Sequence, residues 1–253
     1  MKNAWKAMFL AFASVAVLSW YQQGTVVQAK AHKVDTTVVS KKGNKKVLSK
    51  KAKVPKVNYS ATPKPLPNKT GDPYATPTLG TKYFTSTIKY NYGSGVSSQY
   101  KNIYQKAIKS WNYSLNKSHI QVHFKYSESS PEVYLLQSTY LKDDPSTSND
   151  ELTVGLTEST YHHWYVDKTL PSRNSYVFLY QDSIDLAQLS TNMKQEVATH
   201  ELGHVLGLGH NTEVTNDIMQ PLLLPNVNYK ITSHDLASVK QLYNLKGVTH
   251  YGK

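Results

Sequence analysis

The stretch from about Leu79 to Lys253 predicts a single α+β domain, and three observations carry that expectation. Five short segments alternate apolar and polar residues as strands do, three others repeat apolar residues at helical spacing, and the stretch is long enough for one core, with no internal repeat. The first strand is read at Tyr83–Tyr92, where Phe84, Ile88 and Tyr90 stand out. Ser97 or Ser98 then opens a helix whose Tyr100, Ile103, Tyr104, Ala107, Ile108 and Trp111 fall on one face, so this aromatic stripe is read as core. Further strands are expected at Ile120–Tyr126, Glu132–Gln137, Leu152–Thr157 and Ser175–Gln181. A second helix should run from Thr191 to Gly207, capped by Thr191 or by Asn192 with Gln195 three residues on, its apolar face made by Ala198, Leu202, Val205 and Leu206. A last one fits Ile231–Asn244, with Thr232 or Ser233 as N-cap and Asp235 at the positive helix start.

Within the second helix lies HELGHVLGLGH, His200 to His210. A helix turns about 100° per residue, so His200 and His204 share a face and can point at one ion. Glu201 projects about 100° round the helix, far enough to miss that ion and close enough to reach a water beside it, which is where a general base belongs. Gly207 lets the chain leave the helix and swing His210 back as a third ligand. Three imidazoles leave one position open, the mark of a catalytic rather than a structural zinc site, and the chain has no cysteine to build a thiolate site.

Nine residues beyond His210 comes Met219, in NDIMQP, and with it the chain resembles the metzincin metallopeptidases, most closely the matrixins, whose zinc motif is followed by a methionine turn. Pro221 matches the proline that helps to wall the S1′ pocket, and Ile231–Asn244 is similar to the closing helix of that family. The resemblance implies a twisted mixed five-stranded sheet above an active-site helix, with a small C-terminal part closing the cleft. By its place in the order, Leu152–Thr157, with Val154 and Gly155, corresponds to the edge strand along which an extended peptide would be aligned. The implied activity is zinc-dependent endopeptidase, with Glu201 as base and three histidines and a water around the metal. Asn211 stands where vertebrate matrixins have serine, no tyrosine follows Met219 at the spacing of a fifth ligand, and without cysteine the thiolate latch of matrixin propeptides is excluded. The equivalent of the family's structural-metal loop holds Asp143, Asp144, Asp150 and Glu151 but no histidine, which leaves calcium as its candidate ion. His162 and His163 are read as structural, as are His119 and His123, placed on one strand.

Composition sets the compartment. Lys2 and Lys6 flank an apolar run from Ala7 to Trp20, followed by Ala29-Lys30-Ala31, so residues 1–29 read as a signal peptide too short in its core to span a membrane. The net charge of +12 concentrates in Lys30–Val57, where ten lysines stand against Asp35. Nucleic acid is therefore not the expected partner of the domain; residues 30–78 read instead as a disordered Lys/Pro-rich arm or propeptide able to bind anionic wall polymers. The expected product is a secreted monomer acting on protein or peptide. The rival reading is a catalytically silent wall-binding protein tethered by the basic arm, against which the intact Glu201 argues.

Overall fold

A computed structural model describes residues 63–138, 153–162, 168–221 and 227–243. Six strands and four helices follow in the order β1 (Thr81–Lys82), β2 (Thr87–Tyr92), α1 (Ser98–Lys117), β3 (His123–Tyr126), β4 (Val133–Ser138), β5 (Gly155–Tyr161), β6 (Leu170–Tyr180), α2 (Gln181–Leu186), α3 (Thr191–Val205) and α4 (Ser233–Tyr243). The main sheet is five-stranded and mixed, ordered β3-β2-β4-β6-β5, with β5 antiparallel and the others parallel. The two residues of β1 add a short parallel pairing to the start of β6.

The helix α1 forms where its spacing predicts. Ser97 caps it by accepting from the Tyr100 N–H, and Tyr100, Ile103, Tyr104, Ala107, Ile108, Trp111 and Leu115 are all buried. Two side chains fasten it to its neighbours. The Asn112 amide exchanges hydrogen bonds with the Phe124 backbone at 2.8 and 2.9 Å, pairing with β3 as another strand would. Trp111, fully buried, donates from Nε1 to the Thr199 carbonyl of α3 at 2.8 Å. Burial of an indole of this kind is worth about 3–5 kcal/mol against alanine, so α1 fixes the height of α3 beneath the sheet.

Several boundaries differ from the sequence reading, each for a physical reason. The strand expected at Tyr83–Tyr92 begins only at Thr87, because β1, just before it at Thr81–Lys82, pairs with β6 while β2 pairs with β3 and β4, and the chain changes neighbours across residues 83–86. The third strand begins at His123 rather than Ile120, and His119 lies past the end of α1 with φ 55°, not on a strand with His123. Strand β6 starts at Leu170, five residues before the expected Ser175; Pro171, Arg173 and Asn174 hide its alternation. The six-residue α2 was not expected at all. Ser190, rather than Thr191 or Asn192, caps α3, accepting from the Met193 N–H.

The larger correction concerns residues 63–78, placed by sequence in a disordered arm. They form a strap against the C-terminal half. The Gly209 N–H donates to the Pro77 carbonyl at 2.6 Å, the Leu79 N–H to Gly207, and the Ser238 hydroxyl to Thr76. Gln241 exchanges hydrogen bonds with Pro67 and Lys69, and His234 of α4 meets Asp72 at 2.7 Å. Polar, proline-rich composition hid a segment held by hydrogen bonds to partners more than a hundred residues away. Residues 1–62, which include the expected signal peptide and the lysine run, lie outside the described residues, as do Asp143, Asp144, Asp150, Glu151 and His163.

Candidate metal centre and active site

Where α3 ends decides where the third histidine stands. The helix stops at Val205 rather than at Gly207, with the Gly207 N–H bonded to the His204 carbonyl and the Leu208 N–H to Gly203. That pairing is a Schellman ending, and it needs a left-handed residue at Gly207, whose φ is 94°. Glycine is required there twice over, because a Cβ would collide with the Thr81 carbonyl. The reversal aims the chain back along α3 and delivers His210 to the other two histidines.

Ligand-type nitrogens of His200, His204 and His210 lie within 4.8 Å of one another, the one such cluster among the described residues. The ring centroids are 4.7, 5.2 and 4.9 Å apart. Each helical imidazole has Nδ1 against a backbone carbonyl: His200 faces Ile218 at 2.8 Å, and His204 faces Leu208 at 2.8 Å. A carbonyl only accepts, so both Nδ1 atoms carry the proton and both Nε2 lone pairs are left for a metal. Burial, followed by the neighbouring histidines, holds His200 well below the usual imidazole range; burial takes His204 down to about 4, and burial with His204 takes His210 down to about 3. The three rings are therefore neutral near pH 7, the state a divalent metal requires. Three neutral imidazoles without a thiolate suit zinc.

Glu201 is buried on the side of α3 that faces β5. Its Oε2 accepts from the Thr157 hydroxyl at 2.7 Å, and burial pushes its carboxyl up to about 8 against the opposing effect of that hydrogen bond. Its Oε1 lies above Gly155, where a Cβ would stand 2.7 Å away and would also press on Val197. Gly155 thus sets how closely the strand approaches the helix. Val154, expected with Gly155 at the substrate edge, is buried, and its carbonyl accepts from the Tyr180 N–H at 3.1 Å. Main-chain groups alternate sides along a strand, so Val154 is committed to β6 and Gly155 is the residue turned toward the other edge.

A matching sequence profile decides the family: that of the matrixins (peptidase M10) aligns with residues 84–244. The chain belongs to the matrixin family. No curated protein matches it. Family membership makes it a zinc metalloendopeptidase by class, and the histidine triad is the feature of this matrixin that carries the class. Among its described residues no helix is long and apolar enough to cross a membrane.

The methionine turn of this matrixin lies where its sequence position predicts. Met219 is fully buried under α3, and a Cβ on Gly203 would collide with its sulfur. Pro221 follows, half-buried, and the continuation of the expected pocket wall, residues 222–226, lies outside the described residues.

Beneath the turn is an arrangement the sequence reading missed. Asp217 and Asp235 are fully buried together. Asp217 accepts from the Met219 N–H at 2.8 Å and the Thr232 hydroxyl at 2.6 Å; Asp235 accepts from the Thr76 hydroxyl at 2.7 Å and the Thr232 N–H at 2.9 Å. Asn211 completes the group, its amide nitrogen 3.2 Å from Tyr74 O, 3.2 Å from Thr76 Oγ1 and 3.4 Å from Asp217 Oδ2. Serine, with one proton to give, could not serve this knot alike. The capping signature Thr232 to Asp235 was legible in sequence, but its buried partner Asp217 was not. Thr157 was missed too, although a glycine and a threonine two apart on a strand beside such a helix were the available signal.

Proposed function

We propose that this matrixin is a secreted endopeptidase in which His200, His204 and His210 hold one zinc ion and Glu201 acts as the general base. One observation carries the reading: the ligand-type nitrogens of three imidazoles converge within 4.8 Å while the carboxyl of Glu201, next to His200, faces the strand beside them. Zinc bound there would polarise a water and the scissile carbonyl. Ile218 and Leu208 keep the two helical imidazoles turned toward the metal, and the Schellman ending keeps His210 in place. Glu201 takes a proton from the attacking water and gives it to the leaving amine nitrogen as the C–N bond breaks. The edge of β5 at Gly155 aligns an extended peptide through main-chain hydrogen bonds, with Met219 supporting the site from below and Pro221 beginning a pocket wall.

Residues 1–29 serve as the export signal, and the lysines of Lys30–Val57 attach the protein to anionic wall polymers. Casein cleavage by wild type and Glu201→Ala, with zinc content measured for both, tests the catalytic reading. Equal cleavage by two proteins that each carry one zinc overturns it. Wall binding that falls with salt and disappears on deletion of residues 30–57 supports the arm; salt-dependent binding that survives the deletion removes it.

A further inference from the structure

We propose that Thr157 is the positioning residue of this site, holding Oε2 of Glu201 so that Oε1 alone carries the proton during hydrolysis. The proposal rests on the reading of Glu201 as base. Thr157 lies in β5 and is 3% exposed, with Oγ1 2.7 Å from Oε2 and 3.0 Å from the main-chain oxygen of the same glutamate. One hydroxyl is thus set against both the side chain and the backbone of a single residue in α3. A glutamate has three side-chain torsions and would otherwise sample several positions; a buried hydrogen bond to one of its oxygens selects one.

The two oxygens then have unlike surroundings. Oε2 is occupied as an acceptor, and a proton placed on it would force the Thr157 hydroxyl to rotate away toward the Glu201 carbonyl. Oε1 lies over Gly155, the one residue type that leaves it room, and Gly155 is turned toward the edge where the peptide is to lie. Gly155 and Thr157 are two apart and share a face of β5, so strand periodicity places the bare position and the hydroxyl side by side. During the reaction a water loses a proton to Oε1 while its oxygen bonds to the carbonyl carbon. The same proton then moves from Oε1 to the amine nitrogen as the C–N bond breaks, and Thr157 donates to Oε2 throughout.

The experiment compares wild type with Thr157→Val, Thr157→Ala and Thr157→Ser. Valine keeps the shape and removes the hydroxyl; serine keeps the hydroxyl and removes a methyl. Valine and alanine should lower kcat by about 10- to 100-fold with KM within about twofold, since misplacing a catalytic group by about 1 Å costs on that scale. Serine should restore kcat to within a few-fold, and all four proteins should bind one zinc. In crystals of metal-free Thr157→Val, or of Thr157→Ala where valine does not fold, the Glu201 carboxyl should leave its wild-type position. An unchanged kcat in the variants without the hydroxyl, a serine variant as impaired as valine, or a raised KM with unchanged kcat overturns the proposal. An undisturbed Glu201 in the metal-free crystals overturns it even if no peptide is cleaved. Failure of wild type to cleave, with Glu201 displaced in those crystals, instead counts against the peptidase reading and leaves the hold of Thr157 on Glu201 supported.

Discussion

Glu201 and Asp235 are both buried carboxyls held above the usual carboxylate range, chiefly by burial, yet they stand in opposite kinds of surroundings. Glu201 has one oxygen tied to Thr157 and the other over a glycine facing the strand edge. Asp235 has both oxygens occupied, by Thr76 and by Thr232, with Asp217 beside it. Burial alone therefore does not make a reactive acid. What separates them is whether an oxygen is left for something outside the protein, and substitutions at the two centres should differ accordingly.

The largest expected effect is on catalysis. Glu201→Ala should lower kcat/KM by about 10³-fold or more, in the upper range for loss of a general base, with zinc content unchanged. Its thermal midpoint should stay level or rise, because a buried carboxyl is removed and the helix gains alanine. A large loss of stability would place Glu201 with the structural carboxyls and end the contrast.

At the other centre the order should reverse. Asp217→Ala strips the Met219 N–H and the Thr232 hydroxyl of their acceptor within a buried network, and a loss of about 2–4 kcal/mol is expected in urea or thermal unfolding. At a temperature where the variant remains folded, kcat should fall far less than in Glu201→Ala. Gly155→Ala is intermediate: its Cβ would stand 2.7 Å from Glu201 Oε1 and 2.8 Å from Val197 Cγ1, so about 1–3 kcal/mol of overpacking strain is expected together with a kcat about tenfold lower. Steady-state kinetics and unfolding of one preparation separate the two losses; wild-type kcat in this variant would mean that Oε1 is free to move.

The candidate metal centre is far more legible in sequence than the buried knot beneath it. His200, Glu201 and His204 are fixed by helical geometry over five residues, and Gly207 announces the turn that returns His210. The α1 stripe was equally plain, because its apolar spacing repeats over several turns. Asp217, Asp235, Thr76 and Asn211, by contrast, come together from separate parts of the chain, and Thr76 and Asp235 are 159 positions apart. No local period records such a meeting. The strap is hidden from the sequence for the same reason: Lys69 and Thr76 are polar in composition yet find hydrogen-bond partners in α4, at Gln241 and Asp235. The start of β6 was obscured by Pro171, which the strand tolerates while its carbonyl accepts from the His162 N–H.

The smallest and most discriminating effect is the pH dependence of stability in the metal-free protein. A carboxyl whose folded pKa is raised binds its proton more tightly folded than unfolded, so the stability it contributes is fully present below the unfolded value of about 4 and is lost as pH rises through the folded one. Glu201 sets a window from about 4 up to about 8, and Asp235 contributes in the same direction. The histidines act oppositely: with folded values of about 4 and 3 at His204 and His210, stability is lost as pH falls below the unfolded value of about 6.5. Glu201→Gln should therefore flatten the decline in urea stability between pH 6.5 and 8, where the histidine contribution has levelled off, and Asp235→Asn should flatten its own part of the alkaline slope, each by at most about 1.4 kcal/mol per pH unit. Zinc should leave the Asp235 slope unchanged, since that carboxyl has no free oxygen to offer. A knot slope that changes on zinc binding would mean that the two acidic centres are coupled through Met219 rather than merely stacked one below the other.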